Sequence, residues 1–153
     1  MTTAPTRETV WSVLRTVPDP EIPVLSLVDL GVIREVAVEA GVAKVGITPT
    51  YSGCPATAVI KSDVRAALEL AGLTASVYDV LSPPWTTAWI TPEGCEKLRQ
   101  YGIAPPQPAT EVPACPLCGS HYTELLSEFG STPCKSMHRC CACLEPFDRF
   151  KCI

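Results

Sequence analysis

Apolar and polar positions along the first hundred residues change period several times, and each change marks an element. Val10, Val13, Leu14 and Val17 fall at helical spacing behind Thr6, a residue suited to capping, and Pro18-Asp19-Pro20 ends the run. Residues 32–39 and 42–48 alternate, with Ala40-Gly41 between them, and predict a β-hairpin. From Cys54-Pro55 to Gly72 the residues Ile60, Val64, Ala67, Leu68 and Ala71 trace one stripe of a second helix, with proline at its start and glycine past its end. Residues 75–81 read as a third strand. Thr91-Pro92-Glu93 then supplies cap, first-turn proline and carboxylate for a third helix that Gly102 terminates. Helix, two strands, helix, strand, helix is an α+β order. A right-handed crossover through the second helix returns the third strand to a small mixed sheet, with helices packed on it.

The pattern stops at residues 103–114, where Pro105, Pro106, Pro108 and Pro113 read as a stiff extended linker. The chain therefore divides into a domain over 1–111, linker included, and a tail over 112–153. The tail is too short to build a core of its own, but it carries Cys115-Pro-Leu-Cys118 and Cys140-Cys-Ala-Cys143. Two Cys-x-x-Cys turns at this separation place four thiolates around one tetrahedral Zn²⁺, so Cys115, Cys118, Cys140 and Cys143 are the expected ligands of an all-β zinc ribbon. Gly119 follows the first turn, where a residue without a Cβ lets backbone N–H groups face the sulfurs. Cys134 and Cys152 are left outside this set as accessory thiols, available for packing, redox reaction or transient metal binding.

Composition narrows the classes. The 153 residues are 46% apolar, enough for a packed core. Nine cysteines, an odd number, fit metal ligands plus a few free thiols in a reducing compartment better than they fit a disulfide framework. Met-Thr-Thr-Ala-Pro has neither the basic nor the apolar region of a signal peptide, and no apolar run approaches a membrane span, so a cytoplasmic protein is expected. The net charge is −4, to which the tail adds no basic excess, and this argues against nucleic acid, whose phosphates require a positive field.

Three segments of the first domain carry candidate chemistry. Cys54 stands at a helix start, where unpaired N–H groups and the dipole lower a thiol pKa, although a small residue buried at a tight turn is the simpler account. Asp19-Pro20-Glu21-Ile22-Pro23 holds two carboxylates in a rigid loop, where solvated side chains are the usual case. Trp85 and Trp89, in a loop that begins Ser82-Pro83-Pro84, either close the edge of the core or form an apolar contact for a partner. No Ser-His-Asp set or glycine-rich phosphate loop accompanies them. The two histidines, His121 and His138, both lie in the tail, which leaves the first domain without a histidine base.

These segments also carry a resemblance. Asp19-Pro20-Glu21-Ile22-Pro23, Leu27-Val28-Asp29-Leu30-Gly31, Thr48-Pro49-Thr50-Tyr51-Ser52-Gly53-Cys54-Pro55 and Ser82-Pro83-Pro84-Trp85-Thr86-Thr87 resemble the small-domain family that includes the cytosolic iron–sulfur assembly factor of the MIP18 type. Phe129-Gly130-Ser131-Thr132-Pro133-Cys134-Lys135, Arg139-Cys140 and Cys143-Leu144-Glu145-Pro146-Phe147-Asp148 with Phe150-Lys151-Cys152 are similar to the D subunits encoded with bacterial phenylacetyl-CoA ring epoxidases. The resemblance implies an accessory maturation factor without catalysis of its own. It would assist an iron–sulfur or di-iron centre, and its partners would be the oxygenase or reductase subunits or iron–sulfur assembly proteins. Cys54, with Asp19 or Glu21, would hold iron or meet a client's cluster transiently. A structural adaptor of the oxygenase complex and a thiol oxidoreductase using Cys54 are the alternatives. Two positions depart from the family pattern. Ala88 replaces a common Asp, so no carboxylate role carries over there. Cys141 makes the second turn ambiguous in register, although a one-residue spacer closes such a turn less well than two.

Overall fold

Thr6 caps the first helix, α1 (Arg7–Leu14), its hydroxyl accepting from the Thr9 N–H at 3.1 Å, and the helix buries Val10 and Leu14. The computed structural model describes residues 4–50, 56–107 and 110–151, and the chain gathers into two units, Met1–Trp89 and Ile90–Ile153.

In the first unit α1 is followed by a one-turn helix, α2 (Leu27–Leu30), that the hydrophobic pattern does not predict. Four residues are too few to display a period. Its signal is chemical: the Ser26 side chain accepts from the Asp29 N–H and the Asp29 side chain accepts from the Ser26 N–H, a reciprocal capping box, and Gly31 closes the turn at φ 78°. The hairpin forms as expected from β1 (Ile33–Glu39) and β2 (Val42–Ile47), antiparallel, with Ala40 and Gly41 at φ 49° and 78°. Two left-handed residues in a two-residue turn match the twist of the strands they join.

Next, α3 (Ala56–Leu70) buries Ile60, Val64 and Leu68 of the expected stripe. Gly72, at φ 81°, donates to Glu69 while Leu73 donates to Leu68, so the end of the helix is closed by the paired bonds of a Schellman turn. The third strand, β3 (Thr74–Asp79), lies parallel to β2, which gives a mixed sheet of order β1-β2-β3. A parallel pair cannot be joined by a hairpin, and α3 is the crossover. A 3-10 turn, Thr87–Trp89, follows in the tryptophan loop.

The second unit opens with α4 (Pro92–Gln100), capped by Thr91, which accepts from the Gly94 N–H at 3.0 Å. Ile103 and Ala104, expected to be linker, instead form β4 (Ile103–Ala104). Their N–H groups are intact because the prolines begin only at Pro105, and both side chains are buried. This strand pairs in parallel with β7 (Pro146–Phe150), which pairs with β6 (Lys135–Cys140), which pairs with β5 (Thr123–Ser127). The proline segment thus begins as an edge strand of the ribbon sheet. Ala104, Cys115, Cys140 and Phe147 pack as one buried cluster that includes a cysteine from each turn.

Candidate functional site

Cys115, Cys118, Cys140 and Cys143 come together, their four sulfur atoms all lying within 4.8 Å of one another. Cys115 Sγ and Cys143 Sγ are 3.8 Å apart, and Cys118 Sγ and Cys140 Sγ are 3.5 Å apart. A tetrahedron built on metal–sulfur bonds of about 2.3 Å has edges of about 3.8 Å, so the thiols already outline the shell of a thiolate-bound ion. Cys141 is outside the cluster and its N–H is bonded to the Tyr122 carbonyl at 2.8 Å.

Local backbone geometry produces this convergence. The Gly119 N–H closes the first turn on the Cys115 carbonyl at 2.8 Å, and Gly119 is left-handed at φ 79°. After the second turn Leu144 occupies the equivalent place at φ 69°, a conformation that a residue with a Cβ adopts at a cost. The Cys143 N–H donates to Cys140 Sγ at 3.4 Å.

The electrostatics of the cluster favour a bound cation. Cys140 is pulled down to about 6, first by the Cys143 N–H and, against its burial, by the Ala142 N–H and the neighbouring thiols. The Glu145 N–H pulls Cys143 in the same direction, yet burial and the other three sulfurs push it up to about 12. Cys118 is also raised, despite the Ser120 N–H that favours its thiolate. One sulfur ionises readily and its neighbours then resist, as expected for like charges crowded together. A bound dication removes that resistance, and soft thiolate donors in tetrahedral array suit Zn²⁺ or iron.

The other candidates divide. Cys54 and Cys152 lie outside the described residues. Asp19 is buried, and its Oδ1 accepts from the N–H groups of Glu21 and Ile22 at 2.9 and 2.8 Å, so this carboxylate shapes the loop it occupies. Glu21 is half-buried in the same loop. Trp85 does not present a contact surface. It is 4% exposed, and its indole N–H donates to the Leu30 carbonyl at 3.0 Å, a bond that locks the tryptophan loop to the end of α2. Trp89 is half-buried with the Arg34 guanidinium 3.6 Å above its ring. Sequence reasoning missed Arg34, because nothing local announces a partner 55 positions away. Ala88 is exposed, whereas Cys134 is buried with its sulfur 3.0 Å from Thr132 Oγ1.

A mixed sheet crossed by one helix and a four-cysteine ribbon are, by their family matches, an iron–sulfur-assembly-type domain and a zinc-ribbon module. Residues 7–78 match the iron–sulfur cluster assembly protein family, and residues 103–151 match the PaaD zinc beta ribbon domain. The fold of the first part is similar to that of two solved structures. One is a domain of unknown function, DUF59, from Bacillus anthracis (27% identity, TM-score 0.56, 60% of this chain and 90% of that one). The other is a conserved hypothetical protein from Thermotoga maritima (31% identity, TM-score 0.53, 64% and 98%). Across nearly its whole length the chain is 48% identical to an Escherichia coli (strain K12) protein provisionally named as the D subunit of 1,2-phenylacetyl-CoA epoxidase, over 94% of this chain and 92% of that one. The chain belongs to the family of phenylacetyl-CoA epoxidase D subunits. Among the described residues no helix is long and apolar enough to cross a membrane.

Proposed function

We propose that this protein is a cytoplasmic accessory maturation factor of a multicomponent phenylacetyl-CoA epoxidase, assisting assembly of an iron–sulfur or di-iron centre in a partner subunit. The observation that carries this reading is the union, in one chain 48% identical to an epoxidase D subunit, of a segment matching iron–sulfur cluster assembly proteins with a preorganised four-thiol metal site. The ribbon holds Zn²⁺ as a structural ion through Cys115, Cys118, Cys140 and Cys143, and turns over no substrate. Cys54 is the working thiol of the first domain, and with Asp19 or Glu21 it holds iron or meets a client's cluster. The buried Asp19 carboxylate supports this by holding the loop in one conformation.

Iron content of the client decides the matter. Oxygenase and reductase subunits purified from cells lacking this protein should be deficient in iron or cluster, and supplying the wild-type chain, but not Cys54→Ala, should restore them. Subunits with full metal content that fail only to assemble would establish the adaptor reading instead.

A further inference from the structure

One face of the ribbon sheet carries a cavity of about 460 Å³ that the metal centre does not use. Ser136 and His138 of β6 form its floor, both 6% exposed, with His138 Nε2 and Ser136 Oγ 2.9 Å apart. Arg149 is the cross-strand neighbour of Ser136, and Leu125 is that of His138, so the four side chains share one face. Lys151 and Gln107 complete the walls, and the exposed Glu128 stands at the rim.

The charge of this cavity runs against the rest of the molecule. A chain of net charge −4 gathers Arg149 and Lys151 here, with Glu128 the one carboxylate among the described lining residues. Both cations are positioned: Arg149 donates to the Gln107 carbonyl at 3.1 Å, and Lys151 Nζ sits 4.2 Å over the Phe129 ring. A second feature points to the ligand's other half. Gln107 Oε1 is buried and accepts no hydrogen bond among the described residues. A buried acceptor without a donor is costly, and it is matched by a ligand that brings one.

We propose that this cavity binds an acidic residue of a peptide segment. The carboxylate would lie against Arg149 and Lys151, the residue's own backbone N–H would donate to Gln107 Oε1, and its apolar stem would lie on Leu125. Arginine offers a carboxylate paired donors in a planar fork, and a neighbouring ammonium adds charge without geometric demand. The peptide N–H distinguishes this ligand from a bare anion, which satisfies the cations and leaves Gln107 unmatched. The site is independent of the maturation reading, since a carboxylate dock serves an assembly factor and an adaptor equally.

The test is NMR titration of the full, zinc-loaded chain with three probes: N-acetyl-glutamate N-methylamide, acetate and inorganic phosphate. Saturable shifts at Ser136, His138, Arg149 and Lys151 are expected with the blocked glutamate, with acetate about tenfold weaker, equivalent to about 1.4 kcal/mol. Lys151→Ala should weaken the glutamate probe while metal content stays constant, and Gln107→Leu should reduce its preference over acetate. No saturable shift, or tighter binding of phosphate than of the blocked glutamate, would overturn the proposal. So would Lys151→Ala that releases metal and leaves the titration unchanged, because the cations would then serve the thiolate centre. Arg149 also braces Gln107, so Lys151 is the substitution on which the outcome rests.

Discussion

Residue by residue, the strongest expectations concern groups whose neighbours fix their protonation. Cys118→Ser should remove most of the bound metal, whereas Cys141→Ser should leave it near wild type, because only Cys118 of the two lies in the four-sulfur cluster; metal analysis of each purified variant decides this. If Cys141→Ser lost metal equally, the register of the second turn would be wrong. Tyr78 gives a pH-dependent test. Its hydroxyl is 2.6 Å from Glu35 Oε2, and its pKa is raised, first by that bond, then by burial and by the charges of Glu35 and Glu39. A proton held more tightly in the folded state stabilises it fully below the unfolded phenol's pKa, near 10, and the contribution disappears as pH rises through the folded value. Wild-type protein should therefore lose stability more steeply above pH of about 10 than Tyr78→Phe does, as read by denaturant unfolding across that range. Parallel pH profiles would remove the bond from the account.

At the scale of elements, two left-handed residues predict opposite outcomes. Gly31 ends α2 at φ 78°, and a Cβ placed there would come within 2.9 Å of the Trp89 carbonyl carbon and closer still to its oxygen. Gly31→Ala should cost about 1–3 kcal/mol from backbone strain alone, with the clash in addition, measured as a lower urea midpoint at unchanged slope. Leu144 has the reverse problem: it is left-handed at φ 69° with a largely exposed side chain, so Leu144→Gly should be neutral or stabilising by up to about 1 kcal/mol. Helices α1, α3 and α4 and the β1–β2 hairpin were legible because their periods and caps are local. The turn α2 is not legible in the pattern, because its evidence is a capping box and a glycine, Ser26, Asp29 and Gly31, with no period to accompany them. Strand β4 was hidden by the prolines that follow it, since a two-residue edge strand exists only through its partner β7.

For the molecule as a whole, the metal is expected to govern one unit and not the other. The ribbon has a small buried cluster, Ala104, Cys115, Cys140 and Phe147, whose members include two of the four thiols. Ordering each residue costs about 1–2 kcal/mol of backbone entropy, whereas a structural Zn²⁺ supplies on the order of 10–16 kcal/mol. Removing the ion with a strong chelator should melt the ribbon strands while the β1-β2-β3 sheet and its helices persist, because that sheet rests on an apolar core including Val45, Ile47, Val64 and Leu68. Amide hydrogen exchange read segment by segment would separate the two. Protection lost across both units at once would show that the ribbon's metal supports the entire chain.

The sequence alone determined whatever depends on neighbours a few positions apart: the caps, the helical stripes, the hairpin turn and the two Cys-x-x-Cys turns whose spacing selects a tetrahedral thiolate site. It also placed these in the order that identifies an α+β domain followed by a ribbon. Tertiary structure alone decided that Trp85 is an internal strut, because the Leu30 carbonyl that holds it is 55 residues away. Arg34 over Trp89, β4 beside β7, and the cavity that Arg149, Ser136 and Gln107 share are of the same kind. Side-chain type and local spacing fix what a residue can do, but hydrogen bonds and ion pairs act over only a few ångströms, so the fold decides which distant groups come within reach.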